Sequence, residues 1–72
     1  MEKLIRIGNL EITSDKVFGG VGYFEIWENG VLVGAIMDDS LYYFDKSVIK
    51  NLPAILEEFE GVEKIKHLKP KN

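Results

Sequence analysis

The 72-residue chain has no cysteine, a single histidine (His67), a single tryptophan (Trp27) and only two prolines. Without cysteine no disulfide can brace the fold, and one histidine cannot build a His/Cys metal site within a single chain. Long apolar runs are also missing. The longest, Val31 to Met37, falls far short of the roughly 20 residues needed to span a bilayer. Glu2, Lys3 and Arg6 interrupt the N-terminus where a signal peptide would need unbroken apolar sequence. These absences lead us to expect a cytoplasmic protein.

Catalytic patterns are equally scarce. Ser14, Ser40 and Ser47 stand in turn or cap contexts, where the hydroxyl already serves the backbone, and no G-x-S-x-G elbow is present. Asp38-Asp39 and Glu57-Glu58 are adjacent pairs, and adjacent residues do not face each other across a cleft. Gly19-Gly20-Val21-Gly22 lacks the following Lys-Ser/Thr and the helix of a phosphate-binding loop. His67 lies among Lys64, Lys66 and Lys69, where an exposed strand residue is the simpler reading than a catalyst. No enzyme activity, metal or cofactor is therefore expected.

Hydrophobic residues make up 46% of the chain and charged residues 29%, an ordinary composition for one domain over 1–72, with 69–72 expected as a disordered tail. A chain this small buries only about 60% of its unfolded surface and often gains stability from a partner. The charge is uneven. Met1 to Gly61 holds five basic and eleven acidic residues, whereas Val62 to Asn72 holds four lysines and one glutamate.

Short β-branched runs, Leu4–Ile7 and Leu10–Thr13, flank Gly8-Asn9 and read as two strands. Ser14 to Gly22 is glycine-rich and without period, a loop. Asn29-Gly30 suits a type I′ turn and predicts a hairpin between Val21–Glu28 and Val31–Met37. Asp38-Asp39-Ser40 turns the chain again, into Leu41–Phe44. Val48, Ile49, Leu52, Ile55, Leu56 and Phe59 form one stripe of period 3.6, a helix from about 46 to 60, capped by Asp45 or Ser47 and ended by Gly61. Pro53 either sits in the first turn of a shorter helix capped by Asn51 or kinks a longer one. Val62 to Leu68 alternates and returns as a strand. The fold class is α+β: a small twisted antiparallel sheet, with the Asn29-Gly30 hairpin in its meander, packed on one helix, and a C-terminal strand.

With a regular two-residue turn at Asn29-Gly30 and the next turn at Asp39-Ser40, one sheet face collects Phe24, Ile26, Val31, Val33, Ala35, Met37, Tyr42 and Phe44. The other collects Tyr23, Glu25, Trp27, Leu32, Gly34, Ile36, Leu41 and Tyr43. Both are apolar, yet only one helix is available as a cover. Either Leu4–Ile7 and Leu10–Thr13 fold across the second face and close a small barrel, or another chain covers it. The candidate protein interface is Tyr23, Trp27, Leu32, Ile36 and Tyr43.

Gly20-Val21-Gly22-Tyr23-Phe24-Glu25-Ile26 resembles the glycine-aromatic strand motif of RNA-recognition domains. Gly19 replaces its leading basic residue, Val21 and Ile26 stand where stacking aromatics belong, and the fold's first helix is missing, so the pattern is set aside as coincidence. The expected function is a small non-enzymatic regulatory protein, such as an antitoxin-like or phage-type modulator, that binds itself as a homodimer or another protein. The alternative is a nucleic-acid module using Lys64, Lys66, Lys69 and Lys71 beside exposed Tyr23 and Trp27.

Overall fold

The computed structural model describes residues 4–14 and 23–69. Six strands lie in one sheet in sequence order: β1 (Leu4–Ile7), β2 (Leu10–Ser14), β3 (Tyr23–Glu28), β4 (Val31–Met37), β5 (Ser40–Tyr43) and β6 (Lys64–His67). Two short helices, α1 (Lys46–Lys50) and α2 (Leu52–Glu58), connect the last two strands. Neighbours are antiparallel as far as β5. β6 is parallel to β5, as a strand must be when a helical crossover returns the chain to the same end of the sheet. The α+β architecture follows the sequence expectation. The glycine-rich loop and the last residues of the tail lie outside the described residues.

Three two-residue turns fix the meander. Asn29 (φ 52°) and Gly30 (φ 80°) both take the left-handed conformation that a type I′ turn requires. Gly8 (φ 59°) and Asp38 (φ 56°) each occupy the first position of a turn whose second residue stays at negative φ. The second of these turns is Asp38-Asp39, with Met37 opposite Ser40, one residue earlier than the Asp39-Ser40 turn expected. The Asp39 backbone carbonyl also accepts from the amides of Glu63 (2.8 Å) and Lys64 (3.0 Å), which fastens the start of β6 to the same corner.

The hairpin itself is irregular. Glu28 pairs with Val31 and Trp27 with Leu32, but Ile26 pairs with Gly34, so Val33 is an extra residue, a β-bulge. Beyond it Phe24 faces Ile36 rather than Ala35, which corrects the regular register expected from the turn. One face now holds Ile12, Ile26, Gly34 and Tyr43 in one row and Phe24, Ile36 and Leu41 in the next. The helices cover this face. Leu10, Ile12, Ile26, Val33, Ile36, Leu41, Val48 and Ile55 are the buried core, and Phe24 meets Phe59 edge-on with ring centroids 4.7 Å apart. Gly34 permits the close approach: a Cβ there would lie 2.7 Å from the Tyr42 carbonyl oxygen and 3.3 Å from Val48 Cγ2.

Asp45 caps α1, accepting from the Lys46 amide at 2.8 Å. The stripe over 46–60 is carried by two helices that meet at Asn51, and of the two readings of Pro53 the shorter helix with Pro53 in its first turn is the one found, Asn51 holding the cap position without a side-chain cap bond. Pro53 has no amide hydrogen to give the carbonyl four residues back and its ring crowds that carbonyl, so it is accommodated only in a first turn, that of α2. Asn51 steadies the break, with its Nδ2 donating to the Ser47 carbonyl at 2.9 Å. The β1–β2 turn closes against it, since a Cβ on Gly8 would come within 3.0 Å of Asn51 Oδ1. α2 ends at Glu58 with Phe59 as its C-cap; Gly61 lies beyond and keeps a negative φ, so it is not the expected left-handed cap. β1 and β2 extend the sheet at the β3 edge instead of folding across it, which removes the barrel reading for the described residues.

Two substitutions test this packing by urea denaturation. Gly34→Ala should lower stability by about 1–3 kcal/mol, the usual cost of inserting a methyl into a filled core. Asp38→Gly should raise it by about 0.5 kcal/mol, the relieved left-handed strain outweighing the added chain entropy.

Candidate functional site

The face away from the helices is built from three rows of side chains. Directly paired residues share a face, so the central row runs Leu4, Thr13, Glu25, Ala35, Tyr42 and Lys66, one from each strand. A second row holds Arg6, Glu11, Trp27 and Leu32. Alternation carries it on to Phe44 and Leu68, whose amides donate to the carbonyls of Val33 (2.7 Å) and Tyr43 (3.0 Å) just past the strand ends. Leu32, Phe44, Leu68 and Lys69 line an open depression of about 430 Å³. The third row is Tyr23, Met37, Ser40 and Lys64.

This face is apolar at its centre and charged at its sides. Trp27, Ala35, Tyr42 and Phe44 are partly exposed, and Leu4 (54%), Met37 (45%), Leu68 (44%) and Leu32 (37%) are exposed outright, too many large apolar groups on one side to be scattered surface residues. On the β2–β3 side Glu11 pairs with Arg6 at 2.9 Å, and Glu25 accepts from the Tyr23 hydroxyl at 3.1 Å. On the β6 side Lys66 lies 5.6 Å from the centre of the Tyr42 ring, a cation–π distance, and Lys64 stands 3.8 Å from Asp39.

The candidate interface is divided by the bulge. Tyr23, Trp27 and Leu32 share the open face. Ile36 is 2% exposed and belongs to the core, and Tyr43 lies on the helix side, stacked on His67 with centroids 4.7 Å apart. Ile36 and Tyr43 are therefore not part of one surface with Trp27. Their places are taken by Ala35, Met37 and Tyr42 from beyond the bulge, together with Phe44 and Leu68. One signal pointed there: a glycine inside a strand, Gly34, marks a bulge or a close approach.

Of the lysines in the nucleic-acid alternative, Lys64 and Lys66 share the open face with Trp27 but stand beside Ser40 and Tyr42 rather than beside Tyr23 and Trp27. Lys69 borders the apolar depression, and Lys71 lies outside the described residues. On the helix side a second open depression of about 430 Å³ is lined by Tyr43, Lys46, Ile49, Lys50 and His67. Among the described residues no group of three or more His, Asp or Glu side chains is placed to hold a metal ion, and no helix is long and apolar enough to cross a membrane.

The division of faces predicts two different responses to substitution. Ile36→Ala should cost about 2–4 kcal/mol in thermal or urea unfolding, as a buried truncation does. Tyr42→Ala should cost less than half of that and leave the circular dichroism spectrum unchanged. Equal losses at the two positions would contradict the bulged register. Comparison with known protein families, with curated proteins and with solved structures finds no match to this chain.

Proposed function

We propose that this chain is a small non-enzymatic binding protein that works through the open face of its sheet, as a homodimer or by capping another protein. The observation that carries the reading is the imbalance between the two faces. Both helices lie on one side, while Trp27, Leu32, Met37, Tyr42, Phe44 and Leu68 crowd the other with no described segment over them. Tyrosine, tryptophan and methionine are the side chains enriched where one protein buries its surface against another. Their flat or flexible shapes supply contact area at small entropic cost.

A regulatory role, in which the bound protein is held or blocked rather than chemically changed, fits a surface built for contact. The nucleic-acid alternative draws on Lys66 over Tyr42, a cation beside a ring on which a base could stack. Glu11 and Glu25 in the same face oppose a phosphate backbone, so the protein-binding reading is preferred. The two differ in salt response, because phosphate contacts release counterions and weaken steeply with salt.

Light scattering on the wild type and on Trp27→Glu tests the reading. The wild type should approach twice the 8.2 kDa chain mass as concentration rises, or bind a partner through this face, and Trp27→Glu should weaken that association at least about tenfold, a buried charge at an apolar centre. Trp27→Glu should keep the native circular dichroism spectrum. A folded Trp27→Glu protein that associates as the wild type does would overturn the reading.

A further inference from the structure

We infer that the occupant of the open face is a second copy of this chain, packed sheet on sheet about a two-fold axis that runs parallel to the strands over β4. The inference rests on reading that face as a binding surface and adds the partner and its orientation. It follows from how charge is distributed along the central row. Glu25 stands on β3, Ala35 on β4, Tyr42 on β5 and Lys66 on β6, all at one height along the strands.

Two copies meeting face to face about a two-fold axis in the contact plane have two simple choices. An axis perpendicular to the strands lays each strand on its own counterpart. It then places Glu25 on the partner's Glu25 and Lys66 on the partner's Lys66, repulsive at both sides of the face. An axis parallel to the strands over β4 lays β3 on β5 and β2 on β6. It sets Ala35 on the partner's Ala35 and Leu32 on the partner's Leu32, and brings Trp27 over the partner's Phe44. Lys66 then lies over the partner's Thr13, with the partner's Glu25 beside it on β3 and the partner's Glu11 two residues along β2, both in reach of a long side chain. The apolar residues are centred on β4, which places the axis there and leaves β1 overhanging.

The extent of the face suits such a pair. The strands β2 to β6 at about 4.8 Å spacing, over about 17 Å of length, present roughly 400 Å² per copy as a flat footprint, and relief of the side chains adds to it. Specific interfaces begin near 1,000 Å² in total, so the dimer should be of modest affinity. A small central side chain, Ala35, lets the two sheets approach at the usual ~10 Å.

Charge reversal tests the orientation. Sedimentation equilibrium would be run on the wild type, Glu25→Lys, Lys66→Glu, Trp27→Glu and the double variant Glu25→Lys/Lys66→Glu, each first checked for native circular dichroism. Each single reversal should raise the dimer dissociation constant at least about fivefold, and the double variant should recover most of that loss, because the Glu25–Lys66 contacts between copies are restored with their sign exchanged while only the contact with Glu11 stays repulsive. Recovery in the double variant also excludes misfolding as the cause of a single-variant loss. Single reversals with no effect, alongside a disruptive Trp27→Glu, would overturn the orientation and leave the face as a binding surface. A wild type that stays monomeric up to millimolar concentration would overturn the second copy as occupant. A dimer indifferent to Trp27→Glu would overturn the reading of the face itself.

Discussion

Val33 is one residue more than β3 can pair with, and the arrangement of this small domain turns on that excess. A strand presents alternate residues to opposite sides, so one inserted residue exchanges every assignment beyond it. Before the bulge, Trp27 and Leu32 face away from the helices. After it, Gly34 and Ile36 face toward them and Ala35 and Met37 away. Ile36 thereby joins Ile12, Ile26 and Leu41 in one apolar layer, and the glycine beside the bulge falls where Val48 needs room. A regular hairpin would bury Ala35 and Met37 and turn Ile36 outward, giving the helices a flatter and less complementary bed. The local loss of ladder pairing is offset by the fit of the core.

The same extra residue explains which parts of the fold were legible in the sequence. Asn29-Gly30, the stripe from Val48 to Phe59 and the succession of strands along the chain follow from local chemistry: backbone angles that only certain residues tolerate, and apolar spacing matched to a helix. The break at Asn51 was half legible, because Pro53 demands an interruption but not its form. The bulge was only hinted at by a glycine inside a strand, because whether Gly34 marks a bulge is decided by contact between segments far apart in sequence, the β4 glycine and the α1 valine. For that reason Trp27, Tyr23 and Leu32, which precede the bulge or lie across from it, keep one sheet face in sequence and structure, whereas regular alternation carries Ile36 and Tyr43 to a face that the chain does not give them. The parallel approach of β6 escaped for a related reason. Alternation in Val62 to Leu68 signals a strand, but its direction is set by the crossover before it.

The bookkeeping of faces survives this correction. Exchanging the residues beyond the bulge moves Ile36 inward but sends Met37, Tyr42 and Phe44 outward, so the second side is as apolar as before. The helices are too short to change that: α1 has five residues and α2 seven, and together they cover one side of a six-stranded sheet. Among the described residues the core that results contains eight buried apolar side chains. In a domain of this size the net stability is a small remainder between large terms, and burial on a second face is a substantial addition to it.

The proposed association uses a sheet face rather than a sheet edge, although β1 and β6 are the edge strands among the described residues. The side chains argue against an edge. β6 is exposed along its whole length and carries Lys64 and Lys66, and lysine on an edge strand opposes the addition of another strand. β1 is four residues long, with Arg6 held by Glu11, and offers few ladder bonds for the entropy of docking. The faces differ in the opposite sense, with rings and aliphatic groups in the middle and charge kept to the flanks. Lysine therefore serves twice on this chain. It closes the edge to strand addition, and it leaves Lys66 poised over Tyr42 at the border of the apolar surface, where a complementary acid on an approaching face would find it.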